Sequence, residues 1–155
     1  MSRAIYQSNP FPEAVEVAEY LRNHSDPSAR IAVLGSEPEI YFYAHRHSAT
    51  GYIYAYPLME EQPYALTMQQ EMISEIETAR PEFIVVAEVP LSWLIKPKSE
   101  MHIVTWTRQY IQDHYERVGV ADILSKDHTE YRWAEDSTHY RARSSSVVYV
   151  FRRKA

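Results

Sequence analysis

The chain has 155 residues, of which 45% are hydrophobic and 24% charged, a composition typical of one globular domain. It contains no cysteine, which excludes disulfides, a thiolate nucleophile and cysteine-bound metals. Its three glycines, Gly35, Gly51 and Gly119, lie too far apart for a phosphate-binding glycine-rich loop, and its net charge of −5 argues against a nucleic-acid partner.

The first third of the chain predicts alternating helices and strands. Residues 9–22 predict a helix that begins in a proline-containing turn. The continuous apolar run over 30–35 predicts a strand buried on both faces. The stretch Ser36-Glu37-Pro38-Glu39 predicts a capping box at the start of a helix that reaches Arg46. Strict alternation over 51–56 predicts a second strand.

The rest of the chain continues this alternation. The predicted elements are a helix over 64–79, a strand over 83–87, a helix over 99–117, and strands over 118–124 and 146–151. The order predicts a single α/β domain over residues 1–155. The expected architecture is a layered, mostly parallel, open sheet of about five strands flanked by helices, Rossmann-like, whose last strand could be antiparallel.

Candidate ligand-binding residues follow the predicted strands. Ligands of open α/β sheets bind beyond the carboxyl ends of the strands. Ser36 and Glu37 follow the first strand, Tyr56 the second and Glu88 the third. Arg46 could bind a carboxylate or phosphate through its guanidinium fork, or could only neutralise a helix C-terminus. These five residues form the predicted ligand-binding set, with the capping box as the structural alternative for Ser36.

Two broader patterns concern carbohydrate or nucleotide chemistry. Glu37, Glu60 and Glu88 could converge as acid and base carboxylates, or could each be solvated. The tyrosines between positions 41 and 64 are dense enough to form a stacking surface for a sugar or base. The histidine spacing matches no metal-binding pattern, so the sequence predicts neither metal nor cofactor.

Several stretches of the chain are similar to one family. They are Asn9–Ala14, Val33–Phe42, Arg46–Thr50, Tyr54–Leu58, Arg80–Val86 and Val148–Arg153, and the most distinctive part is Gly-Ser-Glu-Pro-Glu-Ile-Tyr at 35–41. Over about Tyr6 to Lys154 the chain resembles the C-terminal region of bacterial GT-C type membrane glycosyltransferases. This family includes protein mannosyltransferases and lipid-linked aminoarabinose transferase-like proteins.

The resemblance implies that the chain is part of a longer integral membrane protein and lies on its extracytoplasmic, periplasmic face. The catalytic acidic residue of the family lies in an early loop that has no counterpart here, so no catalytic residue is carried over. The implied role is a soluble, non-catalytic accessory domain that shapes the acceptor side or binds glycan. The implied partners are the transmembrane part of its own parent chain and a glycan or lipid head group.

The residues alone leave a second interpretation open. The longest wholly apolar runs are five residues, whereas a membrane-spanning helix needs about 20. Taken literally, the chain is then a stand-alone, small cytoplasmic α/β enzyme. It would act on a sugar or nucleotide through Glu37, Arg46 and Glu88.

Overall fold

The fold is organised around a six-stranded mixed sheet. A computed structural model describes residues 9–155. Its strands are β1 (Arg30–Leu34), β2 (His47–Ser48), β3 (Phe83–Glu88), β4 (Tyr115–Ser125), β5 (His128–Trp133) and β6 (Val147–Arg153). Across the sheet they lie in the order β2-β1-β3-β6-β4-β5. β1 is parallel to β2 and β3, whereas β6 is antiparallel to β3 and β4, and β5 is antiparallel to β4.

Helices cover both faces of the parallel part of the sheet. They are α1 (Phe11–His24), α2 (Glu39–Ala44), α3 (Tyr56–Met59), α4 (Ala65–Ala79), α5 (Pro90–Trp93), α6 (His102–His114) and α7 (Glu135–Thr138). Residues of α1 and α2 pack on one face, here the α1/α2 face, and residues of α3 to α6 pack on the other, the α4/α6 face. Within residues 9–155, no helix has both the length and the apolar character needed to cross a bilayer.

The core lies on both sides of β1 and β3. In β1, Ile31 and Val33 pack with α1 and α2, whereas Ala32 and Leu34 pack with α4 and α6. β3 shows the same division, because successive side chains of a strand point to opposite faces. Continuous apolar runs are therefore required in these two strands, and both doubly buried strands are confirmed.

The α/β sheet with flanking helices is confirmed, and its last strand is antiparallel, but the sheet is mixed rather than mostly parallel. The reason lies after α6. β4 and β5 are joined by the short turn at Lys126 and Asp127, and a turn this short can join only antiparallel strands. β6 then inserts between β3 and β4. The antiparallel half of the sheet consists of these three strands.

Two strand positions differ from the prediction. The strand predicted over 51–56 does not form, and the second strand is instead the two-residue β2. The Thr50 hydroxyl oxygen accepts from the Tyr52 amide at 3.1 Å, and the hydroxyl donates to the Tyr52 carbonyl at 2.9 Å. A local side chain therefore takes the backbone groups that a strand would have used. β5 lies where a polar connection was expected, with Trp133 stacked on Tyr20 at 4.4 Å.

Asp122 holds the segment that leads from α7 into β6. Its carboxylate accepts from the Tyr140 hydroxyl at 2.9 Å, the Arg143 amide at 2.7 Å, and the amide and hydroxyl of Ser144 at 3.2 and 2.6 Å. Burial raises the pKa of Asp122, but these hydrogen bonds together outweigh burial and hold the pKa below its usual 3.8. The ionised side chain therefore fixes the path of residues 140–146.

Asp122→Ala is expected to lower the free energy of unfolding by about 3 kcal/mol, because four donors lose one buried acceptor. The folded pKa is lower than the unfolded one. The contribution of Asp122 is thus complete above pH 3.8 and is lost as the pH falls through the folded value. Urea unfolding at pH 7 and below pH 4 measures both effects. An exposed control, Asp127→Ala, should change neither, and equal losses in the two variants would contradict this role.

Candidate functional site

The carboxyl ends of β1 and β3 form the point at which the chain turns to opposite sides of the sheet. After β1 the chain passes through α2 on the α1/α2 face to reach β2, whereas after β3 it passes through α5 and α6 on the α4/α6 face. The connections diverge there, which is the usual position of the ligand-binding crevice in open α/β sheets, and this position is here called the crevice.

A close approach between Gly35 and Ser92 closes the floor of this crevice. Gly35 has φ +147°, and a Cβ at this position would lie 2.5 Å from the Ser92 hydroxyl and 2.9 Å from Ala87 Cβ. Only glycine fits, because any side chain would collide with α5. The approach lets the Ser36 amide donate to the Ser92 hydroxyl oxygen at 2.9 Å.

Two carboxyl groups share the crevice. Glu37 is buried, and desolvation raises its pKa to about 8, while a hydrogen bond from Ser92 acts in the opposite direction and the neighbouring Glu39 adds to the rise. Burial also raises the pKa of Glu39, and its hydrogen bond with Glu37 moderates that rise. At neutral pH the pair therefore holds a proton, as two carboxyls in contact do when both cannot ionise. Within residues 9–155, the buried Glu39 Oε1 has no hydrogen-bond partner.

Tyrosines stand beside the carboxyl pair. The Tyr56 hydroxyl is a hydrogen-bond partner of Ser36, and burial, followed by the charge of Glu37, raises the pKa of Tyr56. Ser36 also accepts the Ala55 amide at 2.9 Å. The Tyr54 ring lies 6.1 Å from that of Tyr56 and is 46% exposed. The site thus combines a proton-sharing carboxyl pair with accessible aromatic surface.

The structure brings three of the five predicted ligand residues together, Ser36, Glu37 and Tyr56. The capping box at Ser36 is wrong: Pro38 precedes α2 without a side-chain cap, and the Ser36 hydroxyl is used by Ala55 and Tyr56. Glu37, Glu60 and Glu88 do not converge, and the alternative that Glu60 and Glu88 are solvated agrees with their exposure. The partner carboxyl of Glu37 is Glu39, whereas Glu60 is exposed at the end of α3.

Arg46 and Glu88 lie in other surroundings. The buried Arg46 guanidinium donates five hydrogen bonds to the ends of α1 and α2, and the acceptors are the Ser25 hydroxyl and the carbonyls of Arg22, Ser25, Ala44 and His45. These contacts occupy the fork that was expected to bind an anionic ligand. Glu88 is exposed at the end of β3 and lines a separate cleft beyond α5.

The sequence analysis did not identify Glu39 and Ser92 as site residues, and it included Tyr54 only as one of several stacking tyrosines. Glu39 has a signal, since it lies two residues after Glu37 in the same turn, but that spacing also fits a capping box. Tyr54 belongs to the tyrosine-rich stretch and is not distinguished from its neighbours there. Ser92 has no signal in the sequence, because only the tertiary approach of α5 to Gly35 brings it into the site.

Comparisons with known proteins identify no relative of the chain. No protein-family model, curated protein sequence or solved structure matches it. In the part of the chain that the structure describes, His, Asp and Glu side chains form no cluster of three suited to a metal ion.

Arg46→Lys should lower the free energy of unfolding by about 2 kcal/mol, because a lysine has three donors and no planar fork for the five acceptors. Thermal unfolding measures the loss. Arg30→Lys, at an exposed position, is the matched control. An unchanged melting temperature in Arg46→Lys would contradict the structural role of the fork.

The raised pKa of Glu37 makes the stability of the protein depend on pH. The folded state binds this proton more tightly than the unfolded state, whose pKa is the ordinary 4.5. The contribution of Glu37 to the free energy of unfolding is therefore complete below pH 4.5. It is lost as the pH rises through about 8. Glu37→Gln, which imitates the protonated acid, should remove this loss, and we expect a gain of about 2 kcal/mol over the wild type at pH 8.

Urea unfolding between pH 5 and pH 9 measures this difference. Glu61→Gln is the control, because Glu61 is exposed on the loop before α4. If Glu37→Gln and Glu61→Gln show the same pH dependence as the wild type, Glu37 is ionised in the folded protein and the proton-sharing pair does not exist.

Proposed function

We propose that the domain binds a neutral, hydroxyl-rich carbohydrate in the crevice between β1 and β3. The observation that carries this proposal is the proton-sharing pair Glu37 and Glu39 beside the rings of Tyr54 and Tyr56. The proposal includes a Rossmann-like use of the sheet, with the ligand beyond the carboxyl ends of its parallel strands.

The chemistry of a sugar suits this site. Each sugar hydroxyl both donates and accepts, and a half-protonated carboxyl pair likewise offers a donor and several acceptors. Glu39 is only partly buried, so its carboxyl group can exchange hydrogen bonds with a ligand hydroxyl while it remains in contact with Glu37. The apolar face of a sugar ring can stack on the exposed Tyr54 ring.

Phosphorylated ligands fit the crevice less well. The residues that form it are Ser36, Glu37, Glu39, Tyr54, Tyr56 and Ser92, and they contain two acids and no cation. A phosphate placed beside Glu39 would meet like charge in a partly desolvated position. A neutral glycan is therefore favoured over a nucleotide.

We further propose that the domain is the extracytoplasmic, non-catalytic accessory domain of a membrane-embedded glycosyltransferase-like protein. The sequence resemblance to GT-C type transferases supports this context, and a carbohydrate site suits the acceptor side of such an enzyme. The partners would then be the glycan and the transmembrane part of the same parent chain. The domain would hold the glycan while the reaction occurs elsewhere in that chain.

Titration with neutral mono- and oligosaccharides, followed by NMR chemical shifts, tests the carbohydrate site. Binding should shift the amides of residues 35–39 and 54–56. Tyr54→Ala should weaken binding by about fivefold through the loss of stacking, and Tyr64→Ala, which is more exposed but outside the crevice, should not. Glu39→Gln should weaken binding, with Glu61→Gln as its control.

Binding should also decline above about pH 8, where Glu37 loses its proton. Shifts that cluster outside the crevice, or equal affinities in Tyr54→Ala and Tyr64→Ala, would contradict the carbohydrate site. Failure of every neutral saccharide to bind at millimolar concentration would do so as well.

The accessory-domain context has a separate test in the source cells. An antibody raised against this chain should detect a band several times larger than 18.2 kDa in the membrane fraction. A band of 18.2 kDa in the cytosolic fraction would contradict that context, whatever the saccharide titration shows.

A stand-alone enzyme acting on sugars is the second candidate, because a carboxyl group with a pKa of about 8 is a competent general acid. Glycoside hydrolysis, however, uses two carboxyl groups about 5–9.5 Å apart, whereas Glu37 and Glu39 are hydrogen-bond neighbours. We therefore expect no turnover of aryl glycosides by the purified protein. Turnover that is lost in Glu37→Gln would replace the binding proposal with this enzyme.

A further inference from the structure

A second cleft lies on the other side of α5, and the proposed carbohydrate site does not use it. Its volume is about 420 Å³, within the range of small-molecule sites. It lies between the end of β3 and α6, and Ser145, within the segment held by Asp122, closes one side. Ser92 of α5 faces the carbohydrate site, whereas the adjacent Trp93 lines this cleft.

The walls of the cleft are largely apolar. They include Val86, Val89 and Val104, together with the Trp93 indole ring. The Trp93 N–H is already donated to the Ala87 carbonyl at 2.8 Å, so the ring adds apolar surface without an unpaired donor. The Thr107 hydroxyl is likewise donated to the Ile103 carbonyl, at 2.7 Å. An apolar or aromatic group would fill this space favourably.

One acidic and one cationic side chain, Glu88 and Arg108, line the same cleft. Glu88 and Arg108 are both exposed, and neither makes an ion pair or a side-chain hydrogen bond within residues 9–155. They are also not paired with each other, although their charges are opposite. The Glu88 carboxylate lies close enough to Tyr149 that its charge contributes to the raised pKa of Tyr149, after burial. Two opposite charges are thus available at an apolar cleft.

We propose that this cleft binds a small zwitterion with an apolar body, of the chemical class of a free α-amino acid with a large aliphatic or aromatic side chain. The ligand ammonium pairs with Glu88 and its carboxylate with Arg108. The apolar side chain lies against Trp93 and Val104. The carboxylate–guanidinium contact can be bidentate, which would fix the orientation of the ligand. No covalent step is involved.

The size and charge of the cleft favour such a ligand over other classes. A space of about 420 Å³ accommodates one small molecule but not a folded partner. A nucleotide would bring several negative charges to a single arginine beside a glutamate. A purely apolar ligand would leave both charges partly desolvated and unpaired, whereas a zwitterion satisfies both.

Calorimetric titration with four probes tests the proposal. L-phenylalanine contains all three features, whereas N-acetyl-L-phenylalanine lacks the ammonium, L-phenylalaninamide lacks the carboxylate and L-alanine lacks the large side chain. We expect L-phenylalanine to bind at least about fivefold more tightly than each of the other three, since each loses one contact worth about 1 kcal/mol.

Two variants assign the charges. Glu88→Gln should abolish the preference over N-acetyl-L-phenylalanine, and Arg108→Gln the preference over L-phenylalaninamide. Both positions are exposed, so folding should be unaffected, and the exposed Glu61→Gln and Lys98→Gln are the charge-matched controls. Glu37→Gln should leave this binding unchanged, so that failure here remains separate from failure of the carbohydrate site.

Four results would overturn the proposal, three of them in the titrations with the four probes. Those three are equal affinity for all four probes, no binding of L-phenylalanine at millimolar concentration, and binding that the two variants do not affect. Binding of anionic lipid vesicles without any binding of the zwitterion would also overturn it. In that case the exposed Leu91, Leu94 and Ile95 beside the cleft form a membrane-contacting surface instead.

Discussion

The approach of Gly35 to Ser92 is the constraint on which both proposed sites depend. The backbone of Gly35 comes so near to α5 that a Cβ would lie 2.5 Å from the Ser92 hydroxyl. This contact fixes α5 across the carboxyl ends of β1 and β3 and directs the Ser36 amide to Ser92. Since Ser92 also donates to Glu37, the same turn that closes the crevice stabilises the buried carboxyl pair within it.

The burial of Glu37 lowers the stability of the fold, because a carboxyl group is removed from water. If this position were selected only for stability, an apolar residue would be expected in place of the buried glutamate. Here the side chain remains polar because proton sharing with Glu39 and the hydrogen bond from Ser92 offset much of the desolvation. One oxygen of Glu39 still has no partner within residues 9–155. A locally unfavourable polar group of this kind is typical of a site formed before its ligand arrives.

The sequence predicted those parts of the fold that depend on local patterns. The apolar runs of β1 and β3 were recognisable because a strand buried on both faces needs no alternation. The strand predicted over 51–56 does not form, because the Thr50 side chain takes the backbone hydrogen bonds of Tyr52. An alternating sequence pattern does not reveal this competition. β5 was missed because its alternation, with Tyr131 and Trp133 on one face, is dispersed among polar residues.

The site was predictable to the extent that it follows from topology. Ser36, Glu37 and Tyr56 came from the rule that ligands lie beyond the carboxyl ends of parallel strands. The prediction that Arg46 binds an anionic ligand is wrong, because its guanidinium group donates to carbonyls at the ends of α1 and α2. The position of those carbonyls depends on tertiary packing. Ser92 belongs to the site only because α5 approaches Gly35 closely, and no sequence pattern predicts this tertiary contact.

The two proposed sites differ in charge because they lie on opposite sides of α5. The crevice beside Ser92 holds a carboxyl pair and no cation, which is the basis for proposing a neutral, hydroxyl-rich ligand there. The cleft beside Trp93 places Glu88 and Arg108 on apolar walls, so it suits a ligand that itself has both charges. Ser92 and Trp93, which are adjacent in α5, therefore belong to two proposed sites with different ligands. A ligand at either site would contact α5, whose position Gly35 fixes.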